Sequence, residues 1–448
     1  MAGHTAYLAL GSNLGDRAGN IQAALRGMER FGAVEETSFL YATAPAYITD
    51  QPEFLNAACR IRTDLGPLEL LAALKELETD LGRTDPVRYG PRVVDLDIVF
   101  YDDIVFEAAE LRIPHLRLAE RDFVLGPLLD IEPDLMHPVA GQTVRQLWAT
   151  LGAAPLTRVM PVGKALWRWG EKTRIMGIIN VTADSFSGDG ILDDAGAAVD
   201  QALIQAEQMI AAGADVLDVG GHSTRPGHAL QAETDELARV MPVIEALAGA
   251  VDVPLSVDTF RSVVAEAALA AGASMINDVW GMRYDRAMGA VAARHAAPLI
   301  LMDNRMRPED EYYRNRVGEA LSGTGDLLGD IRAELSNLLV RAQESGLPRW
   351  LLMVDPGIGF GKDGAVNVEL LRRLGELQRL GYPVLCGPSR KGFIGTLLGG
   401  LPPEERAEGT AAACVIAAER GADIVRVHDV KTVSRALRVA DGILRSAG

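Results

Sequence analysis

R-I-M-G-I-I-N-V-T, residues 174–182, is the stretch on which the reading of the fold turns. Its apolar centre, Ile175–Ile179, is short and bounded, as a strand buried on both faces is. It runs into Asn180-Val181-Thr182. A doubly wound nucleotide-binding sheet more often opens on a turn such as G-x-G-x-x-G after its first strand, and none follows here. Seven further apolar runs lie downstream: Val216–Val219, Leu255–Val257, Met275–Ile276, Leu299–Met302, Leu351–Val354, Val384–Leu385 and Ile424–Val427. Helical segments follow the strands, Ala195–Ala212 and Glu404–Arg420 among them. Eight strand-then-helix units over about 270 residues match the size and rhythm of a (β/α)8, or TIM, barrel.

Upstream of this repeat the character changes. Pro155, Pro161, Gly163 and Gly170 punctuate the approach to the barrel. The chain therefore divides into a first domain at 1–154, a linker at 155–173 and the barrel at 174–448. Val159, Leu166, Trp167 and Trp169 in the linker suggest a hairpin that closes the barrel floor. In the first domain, Ala6–Leu10 reads as a strand ending in the turn Gly11-Ser12-Asn13. Residues 17–31 read as a helix and 55–62 as a strand. Leu68, Leu71, Leu74, Leu77 and Leu81 recur at helical spacing behind Pro67, and Val93–Phe100 is another strand. Strands and helices mixed in this way predict an α+β sandwich.

The 448 residues carry a net charge of -17. A general nucleic-acid binder would need a basic face, so that class is set aside and phosphate sites must be built locally. The three cysteines, Cys59, Cys386 and Cys414, lie apart in apolar runs, as buried free thiols in a reducing compartment do. No basic segment precedes an apolar run at the N-terminus, and no apolar run approaches the roughly 20 residues of a membrane helix. The expectation is a cytoplasmic protein without a membrane partner.

In a barrel of this kind the active site lies at the C-terminal strand ends. Read in order, those ends carry Asn180, Asp218, Asp258, Asn277-Asp278, Asp303 and Asp355, then Ser389-Arg390-Lys391, then Arg426 and His428. One Asp after a strand is commonly a turn or cap residue; eight polar strand ends are harder to explain that way. Asp258, Asn277 and Asp355 suit a hydrogen-bonding heterocycle with an amino-pyrimidinone edge. Lys391, Arg426 and His428 suit a phosphate or diphosphate.

The strings M-G-I-I-N-V-T-A-D-S-F-S (176–187), G-G-H-S-T-R-P-G (220–227), S-V-D-T (256–259), I-N-D (276–278), D-P-G-I-G-F-G-K (355–362), S-R-K (389–391) and R-V-H-D-V (426–430) occur in collinear order. In them the barrel resembles dihydropteroate synthase, which condenses p-aminobenzoate with hydroxymethyl-dihydropterin diphosphate. The resemblance implies that Asp258, Asn277, Asp355 and Lys391 hold the pterin. It implies a diphosphate site of Asn180, with one Mg²⁺, and of Thr224, Arg225, Arg426 and His428. Phe186, Pro226, Phe360 and Ser389 would meet the p-aminobenzoate, with Lys391 beside Phe360. The implied catalytic residues are Lys391 and Arg426. Loss of diphosphate from the pterin methylene followed by attack of the amine needs no covalent protein nucleophile.

In the first domain the chemistry centres on Asp95-Leu96-Asp97. Residues i and i+2 of a strand face one side, and two carboxylates there suit Mg²⁺ bound with nucleotide phosphates. Arg83, Arg88, Arg92 and Arg121 lie near that pair or in loops able to reach it. With A-L-G-S-N-L (9–14), D-Q-P-E-F-L-N-A-A (50–58), G-P-R-V-V-D-L-D-I (90–98), I-P-H (113–115) and R-D-F-V-L-G-P-L (121–128), this half resembles hydroxymethyl-dihydropterin pyrophosphokinase. That family has a ferredoxin-like α+β fold. The resemblance implies two Mg²⁺ at Asp95 and Asp97, with Arg92 also catalytic. It implies pterin contacts from Thr43, Pro45, Phe54, Asn56 and Phe123. ATP contacts would come from Glu78, Arg83, Arg88, Arg92, Ile98, His115 and Arg121.

The two halves together imply a bifunctional enzyme of folate biosynthesis, because the product of the first reaction is the substrate of the second. Two other readings are a pterin-binding barrel with weak or altered synthase activity and a pterin-dependent methyltransferase barrel. The latter would not need S-R-K or R-V-H, nor account for the first domain. Barrels of this family are commonly dimers, so a homodimer through the barrel is implied. The chain departs from the family's pattern at Ala183, at His222 (usually Glu), at Asp303 (often His), in a longer charged segment at 304–325, and at Gly392 (frequently Ser).

Overall fold

The computed structural model describes residues 3–46, 48–84, 90–181, 195–222, 232–306 and 325–445. They form two compact units. The first comprises residues up to Pro161 with 166–168 and 348–350, and the second comprises the rest.

Unit one is built on an antiparallel sheet. Strand β1 (His4–Ser12) lies between β4 (Phe54–Thr63) and β5 (Asp95–Tyr101). Strands β2 (Ala33–Thr37) and β3 (Leu40–Thr43) both pair with β4. Alternate residues serve opposite faces. On one face Tyr7, Ala58 and Val99 pack with Leu125 and Leu128 of α3 (Asp122–Ile131) and with Val144 and Leu147 of α4 (Val144–Leu151). On the other, Cys59 meets Met28 of α1 (Arg17–Met28), with the sulfurs 3.9 Å apart. Helix α2 (Pro67–Asp80) starts where Pro67 takes the first position behind Gly66, whose N–H donates to Glu69 Oε2 at 2.8 Å. It buries Leu70, Leu74 and Leu77, one stripe of the helix. Helices on both sides of the sheet make this the expected α+β sandwich.

The hairpin anticipated within 155–173 forms at Thr157–Val162 and Ala165–Arg168. Its first strand pairs with β3, Arg158 opposite Tyr41, so both strands extend the sheet of unit one. The sequence reading gives them to the barrel. Apolar side chains mark a hairpin, whereas the partner strand is set by which edge offers open N–H and C=O groups.

Unit two holds eight parallel strands, each buried: Arg174–Asn180, Val216–Gly220, Leu255–Asp258, Met275–Asp278, Leu299–Met302, Leu352–Asp355, Leu385–Cys386 and Ile424–Val427. Strands one to six pair in sequence order; strand eight pairs with strand one, and strand seven with strand eight. A single bridge, Val354 to Val384, brings strand six to the residue before strand seven and closes the ring. The helix expected at 404–420 starts later, at Ala407, behind a short 3-10 turn at Pro403–Glu405. The parallel register aligns the strand ends: Gly220 with Asp258, Asp258 with Asn277, and Met302 with Asp355. The polar residues of those ends thus form one rim.

Candidate active sites

In unit one a cavity of about 290 Å³ opens over the middle of the sheet. Its floor comes from a row across three strands: Asp95 on β5, Gly11 on β1 and Asn56 on β4, paired in register. Gly11 makes the room. A Cβ there would stand 3.0 Å from Asn56 Oδ1 and 3.9 Å from Asp95 Cβ, inside the space those side chains share.

Thr43, Phe54, Asn56 and Phe123 line this cavity. Asn56 Nδ2 donates to Thr43 Oγ1 at 2.7 Å, which fixes the amide's orientation. Pro45 is half-buried, between Ala44 and Ala46, both of which line the cavity. Asp95, Asp97, Arg83, Arg92, His115 and Arg121 line the rest. Arg83 and Arg92 hold Asp95 at 2.8 and 2.9 Å, and Arg121 stands 3.8 Å from Asp97. Arg92 is set in place by Asn13, whose Oδ1 accepts the Arg92 N–H at 2.8 Å. Arg88 lies outside the described residues. Ile98 is buried in the core and is not among the residues that line the cavity.

Glu78, expected to contact ATP, is held by protein groups. It is 3% exposed, accepts Arg83 at 2.6 Å and Lys75 at 2.8 Å, and accepts the Leu96 N–H at 2.7 Å. It therefore aims two cations into the cavity. Lys75 and Gln51, both lining residues, are absent from the sequence-based site. The signal for Lys75 was its place one helical turn before Glu78.

The two aspartates are held in different electrostatic states. Burial would raise the Asp95 carboxyl, but Arg92 and Arg83 beside it win and hold it below its ordinary value. Asp97 is pushed up, by burial first and then by Asp95. Burial holds His115 below its ordinary value. Two crowded carboxylates facing a cavity are the hard oxygen pair that Mg²⁺ takes, with phosphate and water filling its remaining positions.

At the barrel mouth, Arg426 bridges two carboxylates. Its Nε meets Asp218 Oδ2 and its second guanidinium nitrogen meets Asp258 Oδ2, each at 2.6 Å. Asn277 Nδ2 donates to the same Asp218 oxygen at 3.0 Å. Asp355 Oδ1 accepts the Gly357 N–H at 2.7 Å. Lys391 donates to the Ile358 carbonyl, and its Nζ lies 4.4 Å from the centre of the Phe360 ring. Ser389 Oγ lies 3.0 Å from His428 Nδ1. Asn180 closes strand one opposite Gly220. Phe186, Thr224, Arg225 and Pro226 lie outside the described residues, as does most of the 304–325 segment. His222 packs edge-on against Phe260, with ring centres 5.2 Å apart.

Burial pushes Asp258 up to about 7, against the pull of Arg426. Burial lowers Lys391 to about 8, against Asp355. Burial thus draws the Asp258 carboxyl and the Lys391 ammonium toward neutral pH beside the Asn277 amide, the kind of perturbation that marks functional clefts.

Asp218 lies at the centre of this cluster without an assigned role in the sequence reading. It is 0% exposed and orients both Asn277 and Arg426. Asp218→Asn keeps the shape and removes the charge. A buried charge-assisted hydrogen bond contributes roughly 1.5–3 kcal/mol, so kcat/KM of the barrel's reaction falls roughly 10- to 100-fold while the N-terminal reaction is unchanged. Equal steady-state kinetics for the variant and wild type would remove Asp218 from the site.

Comparison with known proteins supplies families for both units. The pattern of a family described as pterin binding enzyme matches residues 176–428. That of 7,8-dihydro-6-hydroxymethylpterin-pyrophosphokinase matches residues 7–133. The chain is 41% identical to folic acid synthesis protein fol1 of Pneumocystis carinii, covering 98% of this chain and 59% of that protein's length. It is 39% identical to the mitochondrial folate synthesis bifunctional protein of Arabidopsis thaliana, covering 99% of this chain and 83% of that protein. Among solved structures, dihydropteroate synthase of Xanthomonas albilineans with 4-aminobenzoic acid superposes with a TM-score of 0.58 at 38% identity, covering 65% of this chain and all of that one.

Proposed function

The chain belongs to the family of bifunctional folate-synthesis proteins, a pterin pyrophosphokinase followed by a dihydropteroate synthase, and we propose how its two sites divide that work. The N-terminal unit transfers the β,γ-diphosphate of ATP to the hydroxymethyl group of 6-hydroxymethyl-7,8-dihydropterin. The barrel condenses the product with p-aminobenzoate to give 7,8-dihydropteroate and diphosphate. The observation that carries the reading is the pyrophosphokinase pattern at 7–133 and the pterin-binding pattern at 176–428 in one chain, because the product of the first reaction is the substrate of the second. The alternatives, a barrel with altered activity and a methyltransferase barrel, are not favoured by relatives named as dihydropteroate synthases.

In the first site Phe54 and Phe123 flank the flat pterin, and Asn56, oriented by Thr43, reads its edge. Mg²⁺ held at Asp95 and Asp97 would supply charge neutralisation for the triphosphate. Arg83, Arg92 and Arg121 gather the phosphates, so catalysis is positioning plus stabilisation of charge. In the barrel Asp258, Asn277 and Asp355 hold the amino-pyrimidinone edge. Lys391 donates to the acceptors of the same ring. Arg426 and His428 take the departing diphosphate, with Asn180 as the residue for a third Mg²⁺. Phe360, Ser389 and the Lys391 stem flank the incoming amine.

The test is a coupled assay on the whole chain with hydroxymethyl-dihydropterin, ATP, Mg²⁺ and labelled p-aminobenzoate. Labelled dihydropteroate is the expected product. Pterin diphosphate accumulating without it would mean that the barrel is not a working synthase.

A pH effect follows from Lys391. Its proton is needed for donation to the pterin, and its pKa is about 8. The kcat/KM for condensation therefore declines as pH rises through about 8, because free-enzyme groups govern that constant. In Lys391→Arg, whose charge does not titrate in this range, the alkaline limb disappears; an unchanged limb would assign it to another group.

We also place the barrel in a homodimer. Leu397, Ile416, Val439 and Ile443 on its last helices are exposed, which supports an apolar contact surface. Sedimentation analysis is expected to give twice the chain mass and to give the monomer for Val439→Glu/Ile443→Glu. No helix among the described residues is long and apolar enough to cross a membrane. Since the Arabidopsis and pea relatives are named mitochondrial, a cytoplasmic location is the proposal that cell fractionation tests.

A further inference from the structure

The loop Asp355–Lys362 carries Phe360 to the side of Lys391, and it is held from behind by a buried ion pair. Lys362 is 1% exposed and Asp303 0%, with Nζ 2.9 Å from Oδ1. The same ammonium donates to the Asp303 and Gly357 carbonyls at 2.9 and 3.0 Å and lies 3.3 Å from that of Phe360. Asp303 also binds Arg305, at 2.9 and 3.1 Å. Backbone bonds add Asp303 N–H to the Asp355 carbonyl at 2.9 Å and Arg305 N–H to the Phe360 carbonyl at 3.3 Å. Gly357 and Gly361, at φ 66 and 68, lie so close to the Asp303 and Arg305 backbone that a Cβ on either would overlap it.

We infer that Lys362 and Asp303 are positioning residues whose ion pair fixes the Phe360 wall and thereby sets the affinity for the aromatic amine. The inference rests on the reading of the barrel as a synthase. Carbonyls from three points of the strand-five end and the loop converge on one ammonium, so the loop has one arrangement in which they are all satisfied. Phe360 then packs beside Phe260, Val279, Trp280, Tyr284 and Met302 and presents its ring to Lys391. The two side chains make no hydrogen bond to the side chains of Asp258, Asn277 or Asp355 among the contacts described, and the Asp303 bond to Asp355 is backbone on both sides, so the effect falls first on the second substrate. It also gives Asp303 a purpose: a histidine there would offer no carboxylate to hold Lys362 and Arg305 together.

Removing one partner leaves a buried charge unpaired, whereas replacing both removes that penalty for the pair and leaves only the more exposed Arg305 without its carboxylate. The decisive variant is therefore Lys362→Met/Asp303→Asn; its companion is Asp303→Asn alone, which keeps the Lys362 ammonium on its three carbonyls. Purified pterin diphosphate and p-aminobenzoate are supplied directly, and each KM is measured beside kcat and the unfolding transition. The double variant is expected to unfold cooperatively with the KM for p-aminobenzoate raised about 10-fold or more, as for a displaced binding wall. The KM for pterin diphosphate stays within about twofold of wild type, and Asp303→Asn shifts in the same direction by less. A folded double variant with an unchanged p-aminobenzoate KM overturns the inference, as do two KM values rising together. If the wild-type chain itself forms no dihydropteroate from these substrates, it is the synthase reading that fails.

Discussion

Replacing Asp95 or Asp97 by alanine lowers diphosphate transfer by about 10³-fold or more and leaves pterin binding nearly intact. The separation follows from the geometry. The residues proposed to face the pterin, Thr43, Phe54, Asn56 and Phe123, are anchored by β3, β4 and α3, and the hydrogen bond between Asn56 and Thr43 does not involve β5. Both aspartates sit on β5, paired with the arginines proposed to bind phosphate. Without either carboxylate the phosphate charge is met by guanidinium groups alone, and the transferring group loses its alignment. Release of AMP from ATP measures the transfer, and fluorescence titration measures pterin binding. Transfer within about tenfold of wild type in either variant would sink the metal assignment.

Lys391→Ala has the second large effect: kcat/KM for condensation drops by about 10²–10³-fold, and the affinity for pterin diphosphate weakens. Lys391 links three parts of the site. It donates to the Ile358 carbonyl, lies over the Phe360 ring at 4.4 Å, and draws on the charge of Asp355. Alanine removes a donor to the pterin, a wall for the amine and a charge near the departing diphosphate at once. The preceding residue, Arg390, adopts φ 57 and is held by Asp429 at 2.9 and 2.7 Å. The loop is therefore anchored independently of the lysine, and the variant is expected to fold. Stopped-time assays on purified pterin diphosphate would read the loss. Unchanged kinetics would put the strand-seven loop outside the site.

Much of this was legible in the sequence. Strands carry their own period, so the eight barrel strands were found to within a residue or two. A fold that puts its chemistry at strand ends made Asp258, Asn277, Asp355, Lys391 and Arg426 readable as one set. Asp95 and Asp97 were readable because alternation on a strand is local. Features set by distant partners were not legible. Asp218 is one polar strand end among eight, without a role, until Arg426, 208 positions away, is seen bonded to it. Glu78 reads as a ligand contact until its burial and its bond to the Leu96 N–H place it behind Arg83 and Lys75. The hairpin was visible as a local pattern, but its sheet was not, because edge pairing is decided by what the rest of the chain leaves open. Asp303 looked like a departure without a cause because its partner, Lys362, lies 59 residues on.

The barrel closes through one bridge, Val354 to Val384, backed by the Val354 N–H bond to the Pro383 carbonyl at 3.0 Å. Elsewhere its neighbouring strands pair over longer registers, five positions between strands one and two. Local opening begins where the fewest bonds must break together. In deuterated water the amides of Val354 and its neighbours across this seam should therefore exchange ahead of those in strands one and two. The seam lies between the strands that lead to Phe360 and to Lys391, so fluctuations there change the distance between those two side chains, 4.4 Å from ammonium to ring centre. A ligand bridging both walls would slow exchange on the two sides together, letting the seam's labelling pattern report occupancy without any measurement of turnover.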